Sequence, residues 1–432
     1  MLTKIEFKQN TQEIELKLSN RKESINRTVN EEVENILQEI QNKGDQAVFD
    51  YALKFDGYQI NDLNDLVVSN KEMEEALKKV DQDYIRILKR AKKQIIEFHQ
   101  NQIDKSWAIT KDNGVLMGQV VRAIKRVGLY VPGGTASYPS TVLMNALPAK
   151  LAGVKELVMI TPVKSDGKVD PSILAAAHIC GVDIIYKVGG VHGIGMLAYG
   201  SQSVKKVDKI VGPGNLYVAT AKKQCYGIVD IDMIAGPSEI LVIADKDANP
   251  KYIAADLISQ SEHDTLASAI LVTTSENLIE QVNRQLEIQV PLCSRKDIII
   301  QSLKNYGAAI LVKNLQEAFE ISNQLAPEHL EVLIQDPITA LPYIENAGSI
   351  FLGEYTPEPL GDYMSGTNHV LPTGGSAKFY SALGVYDFVK TSSYSYYPKS
   401  ALQSFKDDVI TFAKSEGLDG HARSIAVRFE EE

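Results

Sequence analysis

The chain of 432 residues carries 45 Lys and Arg against 55 Asp and Glu, a formal net charge of −10, with 44% hydrophobic and 23% charged residues. That ordinary globular composition excludes collagen-like and disordered chains, and an acidic balance with no basic stripe excludes a nucleic-acid partner. No apolar run reaches the roughly 18 residues of a membrane span. The start lacks the apolar stretch of a signal peptide, and Cys180, Cys225 and Cys293 are too scattered for a disulfide framework or paired metal motif. A cytoplasmic protein of two or three packed units is expected.

Residues 1–26 read as an arm of short alternations such as Ile14-Glu-Leu-Lys-Leu18. A helix from Asn30 to Gly44 follows, with Val33, Ile36, Leu37 and Ile40 on one face. A second long helix from Asn70 carries the stripe Leu77, Val80, Tyr84, Leu88, Ala91, Ile95 and Phe98. From about 125 the texture changes to short continuous apolar strands alternating with helices. The strands are Val127–Val131, Glu156–Thr161, Asp183–Val188 and Val207–Val211. The pattern restarts at Glu239–Ala244, with Asn249-Pro250 capping a helix to Ser261, and continues through Ala269–Thr273 and Ala308–Val312. Such alternation means βαβ units and parallel sheets, here two doubly wound α/β units of the kind a duplication would leave. A tail follows, with Ser392–Tyr397 and a helix from Pro398 to Glu416.

Seven histidines are present. His99 reads as a surface residue of the charged helix and His178 as a structural one. The other five stand beside glycine, proline or acidic residues near segment ends, and ligands of open α/β sheets bind at the carboxyl ends of strands. Gln260 and His263 are three apart on one helical face and could both ligate a borderline metal. Glu328 and His329, adjacent in a turn, suit proton abstraction from an alcohol and activation of water. Asp362 and His369 lie in the long polar loop Leu360–Thr373, and long glycine-rich loops are usually functional. Glu416 and His421 flank a turn with two glycines in the tail, which could reach its own subunit or a second one. Three glycine turns follow strands: Tyr130-Val-Pro-Gly-Gly134, Val188-Gly-Gly-Val-His-Gly193 and Gly212-Pro-Gly-Asn215. Their amides could hold phosphate, although G-x-G-x-x-G is absent. Each of these features taken alone is as well explained by a polar helix end, a solvated turn or a tight connection.

Together, the segments 130–134, 212–215, Ala-Gly-Pro-Ser-Glu (235–239), Ser-Gln-x-Glu-His (259–263), Ala-Pro-Glu-His-Leu (326–330), Gly-Asp-Tyr-x-Ser-Gly-Thr-Asn-His-Val-Leu-Pro-Thr (361–373) and Glu-Gly-Leu-x-x-His (416–421) resemble, in that order, the histidinol dehydrogenase family. The likeness runs from about residue 25 to the end. It implies one zinc per subunit, held by Gln260, His263, Asp362 and His421, and an acid–base pair of Glu328 and His329. Substrate contacts fall on Ser238, His369 and Glu416, besides His329 and the metal ligands. NAD contacts fall on Tyr130, Asn215 and His192, the last at a position where the family usually carries Gln. It further implies a homodimer in which His421 and Glu416 complete the neighbour's site. The activity implied is a four-electron oxidation of L-histidinol to L-histidine through bound L-histidinal, ending histidine biosynthesis.

The expected division is an arm (1–26), a first α/β domain (27–128 with 239–380) bearing the metal and catalytic residues, a second (129–238) bearing the NAD turns, and a tail (381–432) reaching the partner. Three other readings stay open. A dehydrogenase of another small amino alcohol or diol should have changed Ser238, His369 or Glu416. A zinc hydrolase needs no nucleotide turns. A silent binding protein need not keep Glu328 and His329.

Overall fold

The structure, a computed structural model, describes residues 1–6, 27–133 and 138–430. They fall into two units, Met1–Gln102 with Ile124–Phe388, and Ile103–Ala123 with Val389–Glu432. Of the expected arm, residues 7–26, with their alternation at 14–18, lie outside the described residues. Its first residues form a strand, β1 (Thr3–Glu6).

The first unit continues with α1 (Arg27–Lys43), whose Val29, Val33, Ile36, Leu37 and Ile40 form one buried stripe. The helix expected from Asn70 is two helices, α2 (Asn70–Lys79) and α3 (Gln82–His99). Asp81 divides them, because its carboxylate accepts from the amide of Asp83 and caps α3. Leu88, Ala91 and Ile95 keep the expected stripe, which then continues at i+4 from Ile95 rather than at i+3. Phe98, expected in the apolar stripe, is exposed, and His99, expected at the surface, is fully buried. His99 Nδ1 lies 2.7 Å from Gln102 Oε1. Two strands of the second unit intervene, β2 (Trp107–Thr110) and β3 (Leu116–Ala123).

The apolar runs then fold as expected into β4 (Arg126–Tyr130), α4 (Pro139–Ala152), β5 (Glu156–Ile160), α5 (Pro171–Cys180), β6 (Ile184–Tyr186), α6 (Gly190–Tyr199), β7 (Lys209–Val211), α7 (Leu216–Cys225) and β8 (Asp230–Ile231). All of β4, and every residue of α4 from Thr141 to Ala149, is buried, which is why these segments read as continuous apolar runs. His178, expected inside α5, is instead exposed on its outer face. The five strands form a parallel sheet in the order β6-β5-β4-β7-β8.

The second run gives β9 (Glu239–Ala244), α8 (Pro250–Ser261), β10 (Ser268–Thr273), α9 (Glu276–Gln289), α10 (Lys296–Tyr306), β11 (Gly307–Leu311), α11 (Leu315–Leu325), β12 (His329–Leu333), β13 (Ser349–Leu352) and α12 (Glu358–Tyr363). Its six-stranded parallel sheet has the order β1-β11-β10-β9-β12-β13. Counted from its own first strand, each run follows the doubly wound order 3-2-1-4-5, with β1 added beside β11 in the larger sheet.

In the second unit, β14 (Val389–Tyr396) pairs antiparallel with β3 along all of its length, and β2 flanks β3 on the other side. The helix expected from Pro398 to Glu416 is broken at Ser404–Phe405 into Lys399–Gln403 and α13 (Lys406–Ser415), and α14 (Asp419–Ala426) follows. All of β2 and most of β14 are exposed, and Trp107, Tyr396 and Phe412 each show more than half of their surface.

Candidate active site

Two adjacent strands of the six-stranded sheet begin on functional side chains. Glu239 opens β9 and His329 opens β12, and Ile240 stands opposite His329 in the ladder. The site therefore lies at the amino edge of this sheet, not at the carboxyl edge where the sequence pattern directs attention. The topology explains it. A helix that follows a parallel strand runs back along the sheet, so its C-terminal end returns to the amino edge. Gln260 and His263 sit at the end of α8, and Asp362 near the end of α12, a helix inside the segment expected to be wholly loop.

The chain entering β12 is held tightly. Ala326 is the one described non-glycine residue with positive φ, at 49°, and it ends α11 in the left-handed region. The amides of Gly348 and Ser349 then donate to the carbonyls of Pro327 and Glu328 at 2.9 Å each. A Cβ at Gly348 would stand 2.5 Å from the Glu328 carbonyl oxygen, so only glycine fits there. Glu328 Oε2 accepts from the Glu239 amide at 2.8 Å.

His329 Nδ1 lies 2.9 Å from the Glu239 carbonyl oxygen. A carbonyl can only accept, so Nδ1 carries the proton and Nε2 keeps its lone pair. That Nε2 is buried with no hydrogen-bond partner, 3.8 Å from Glu358 Oε1. Burial pushes the imidazole down to about 4, against the pull of Asp362, so the ring is neutral at physiological pH. Burial also pushes the Glu328 carboxyl well above its usual range, with Glu239, Asp362 and Glu358 adding to the effect. His369 Nδ1 lies 3.6 Å from Asp362 Oδ1, and burial lowers its pKa.

Glu358 was not singled out in the sequence. Burial pushes its carboxyl up to about 8, and its amide donates to Glu331 Oε1 at 2.7 Å. The signal that could have found it is its place between Pro357 and Pro359, four residues before Asp362 and thus on the same helical face.

The turns expected to hold NAD lie at the carboxyl edge of the five-stranded sheet, where the doubly wound rule puts them. Tyr130 ends β4 and is nearly buried. Its hydroxyl receives the Gly190 amide, and burial pushes its pKa up to about 12. His192, in the first turn of α6, is buried with Nε2 3.2 Å from Asp56 Oδ2. Asn215 is exposed and caps α7 by accepting from the Val218 amide. Gly134 lies outside the described residues. Ser238 is half-buried just before β9. Glu416 and His421 are exposed residues of the second unit.

The family profile described as Histidinol dehydrogenase matches residues 19–429. The chain belongs to the histidinol dehydrogenase family. A histidinol dehydrogenase of Lactococcus lactis is 64% identical over 431 residues, covering 100% of each chain. One of Clostridium acetobutylicum is 56% identical over 394 residues, 91% of each chain. The crystal structure of a histidinol dehydrogenase from Elizabethkingia anophelis matches with a TM-score of 0.90 at 36% identity, over 99% of this chain and 98% of the other. Among the described residues no helix is long and apolar enough to cross a membrane.

The donor set of this histidinol dehydrogenase family member fits a divalent cation. Glu328, Glu358 and Asp362 form ion pairs only with histidines among the described residues. Ligand atoms of His329, Glu358 and Asp362 lie within 4.8 Å of one another. Gln260 Oε1 and His369 Nδ1 are buried without a hydrogen-bond partner. Buried carboxyls and acceptors left without a partner are costly unless a cation or a proton meets them.

That cost has a pH signature. The Glu358 carboxyl titrates near 8 when folded and near 4.5 when unfolded. In that window the unfolded chain releases a proton that the folded chain keeps, so stability falls as pH rises. His329 works the other way, but only between about 4 and the 6.5 of the unfolded chain. Between 6.5 and 8 the carboxyl contribution therefore stands alone in this cluster. The unfolding free energy of metal-free protein is expected to fall across that range by up to ~1.4 kcal/mol per pH unit per carboxyl, and the melting temperature with it. Zinc is expected to flatten the slope. A level melting temperature in the metal-free protein would contradict the assignment.

Proposed function

We propose that the chain is a zinc-dependent, NAD-linked dehydrogenase that oxidises L-histidinol to L-histidine through bound L-histidinal, closing histidine biosynthesis. The observation that carries it is His329 in a fixed tautomer, with a free Nε2 lone pair facing Glu358 and the acidic cluster, and Glu328 beside its Nδ1. Gln260, His263 and Asp362, with His421 of the partner subunit, would hold one zinc per subunit. Bound zinc would fix the imidazole and amine of the substrate, and NAD would accept the electrons.

His329 Nε2 takes the hydroxyl proton as hydride leaves the alcohol carbon. Its low pKa keeps it unprotonated and ready at neutral pH. Glu328, adjacent in the chain, accepts in its ionised form a proton from water, which adds to the aldehyde. His329 gives its proton to the carbonyl oxygen as water adds, and so is free to take a proton again as the second hydride leaves the hydrated aldehyde. Ser238 and His369, with Glu416 of the partner subunit, position the substrate. Tyr130, His192 and Asn215 belong to the cofactor site. His192 does so as a buried support of the Gly189–Gly190 turn, where a Cβ on Gly190 would lie 3.3 Å from the imidazole. The exposed aromatic residues of the second unit favour a homodimer.

The test is substrate choice under metal control. Activity with L-histidinol and NAD is expected, lost on chelation and regained with zinc. Turnover of other amino alcohols or diols with none of histidinol would leave the scaffold assignment standing and sink the substrate.

A further inference from the structure

A pair of charges in the five-stranded half of the first unit takes no part in the chemistry above. Lys222 on α7 and Asp232 just after β8 form an ion pair whose side chains are only 2% and 1% exposed. Burying two charges is expensive, and apolar residues of similar volume often serve stability as well or better. The partners of this pair suggest what it does.

Both charges close on one residue, Gly212. Asp232 Oδ2 accepts from the Gly212 amide at 2.8 Å. Lys222 Nζ donates to the Gly212 carbonyl oxygen at 2.9 Å and to Asp232 Oδ1. Asp232 Oδ1 also accepts from the Met233 amide at 2.7 Å. Gly212 thus has its donor and its acceptor gripped by opposite ends of the ion pair. Its φ is 120°, and a Cβ there would stand 2.1 Å from the Tyr130 carbonyl oxygen. The backbone is pressed against β4 in a conformation open only to glycine. Next to it, a Cβ on Gly214 would lie 3.2 Å from the Tyr130 ring. Three residues beyond Gly212, Asn215 caps the ten-residue helix α7, whose free amides face the carboxyl edge of the sheet.

The geometry points to Lys222 and Asp232 as positioning residues for the cofactor turn Gly212–Asn215. They touch neither substrate nor NAD, and they act by fixing Gly212, the glycine from which the turn and the start of α7 project. This rests on the reading of that turn as part of the NAD site.

The decisive variant is K222M/D232L, which replaces the pair by apolar side chains of similar reach and leaves no unpaired buried charge. The expected result is a loss of NAD affinity of about tenfold or more. The histidinol dissociation constant should stay within about twofold and kcat at saturating NAD should be largely retained. Hydrogen exchange of the wild-type amides of Gly212, Gly214, Asn215 and Leu216 with and without NAD tests the underlying reading separately, and protection by NAD is expected. Protection with unchanged NAD affinity in the variant overturns the positioning role and leaves the turn assignment intact. Absence of protection removes the turn from the cofactor site, and the inference falls with it. Equal losses of NAD and histidinol affinity would make the pair a structural element only. Should the double variant not fold, D232N, which keeps the side-chain shape and removes the charge, is read in the same way.

Discussion

Replacing Glu328 by Gln is expected to leave an enzyme that forms one NADH per histidinol and stops at the aldehyde. The two oxidations make different demands. The alcohol step needs a base for a hydroxyl proton, and His329 meets it with Nε2, because the Glu239 carbonyl holds the proton on Nδ1. The aldehyde step also needs water activated beside the carbonyl carbon, and Glu328 is the buried carboxyl next to that base. Gln keeps the shape and can still accept from the Glu239 amide, but it cannot take a proton. The second step is expected to slow by about 10²–10⁴, the usual worth of a positioned acid or base, with the first step much less affected. His329→Asn, in contrast, should slow both steps by a similar factor. Quantifying aldehyde and histidine after a single turnover separates the two variants, and equal loss of both steps in the Glu328 variant would assign its carboxylate to something other than water activation.

Replacing His421 by Asn is expected to abolish zinc binding and activity, and mixing it with the Glu328→Gln variant should restore part of that activity. His421 lies in the second unit, just inside α14. If a site uses the body of one subunit and the tail of the other, a mixed dimer has one fully intact site and one doubly damaged site. Random exchange makes about half of the dimers mixed, so roughly a quarter of wild-type activity should return. If each site draws its tail residues from its own subunit, no combination yields an intact site. Absence of recovery after verified subunit exchange would therefore rule out sharing. Zinc content should track the recovered activity.

Much of the first unit was legible because burial writes itself into sequence. Glu239–Ala244 and Glu156–Ile160 are continuous apolar runs because both faces of a parallel sheet are covered. Asn249-Pro250 gave the start of α8 through a cap and a proline at the first turn. The second unit was hardest to read. Its strand Leu116–Ala123 carries Gly118, Gln119 and Arg122 among the apolar residues, and its partner β14 is mostly Ser and Tyr with almost no burial. With little apolar surface committed to a core, periodicity has nothing to report.

The site shows the same limit in another form. The candidates Gln260, Glu328, His329, Asp362 and His369 were picked out by their types and neighbours, but the place of Glu328 and His329 at the amino edge was not legible, because it depends on sheet topology. Glu358 escaped notice because its buried state follows from tertiary packing between α12 and the residues of β12, to which its amide is bonded. His99 was misplaced because the stripe Leu88, Ala91, Ile95 can continue at i+3 or i+4, and packing buries the i+4 residue, His99, in place of Phe98.

The most direct measurement is the stoichiometry of the reaction. Zinc-loaded protein is incubated with limiting L-histidinol and excess NAD, and NADH formed is counted against histidinol consumed. Two NADH per histidinol are expected, with histidine as the product and activity lost on chelation. No NADH, from protein that still binds NAD, would contradict histidinol as the substrate of this site.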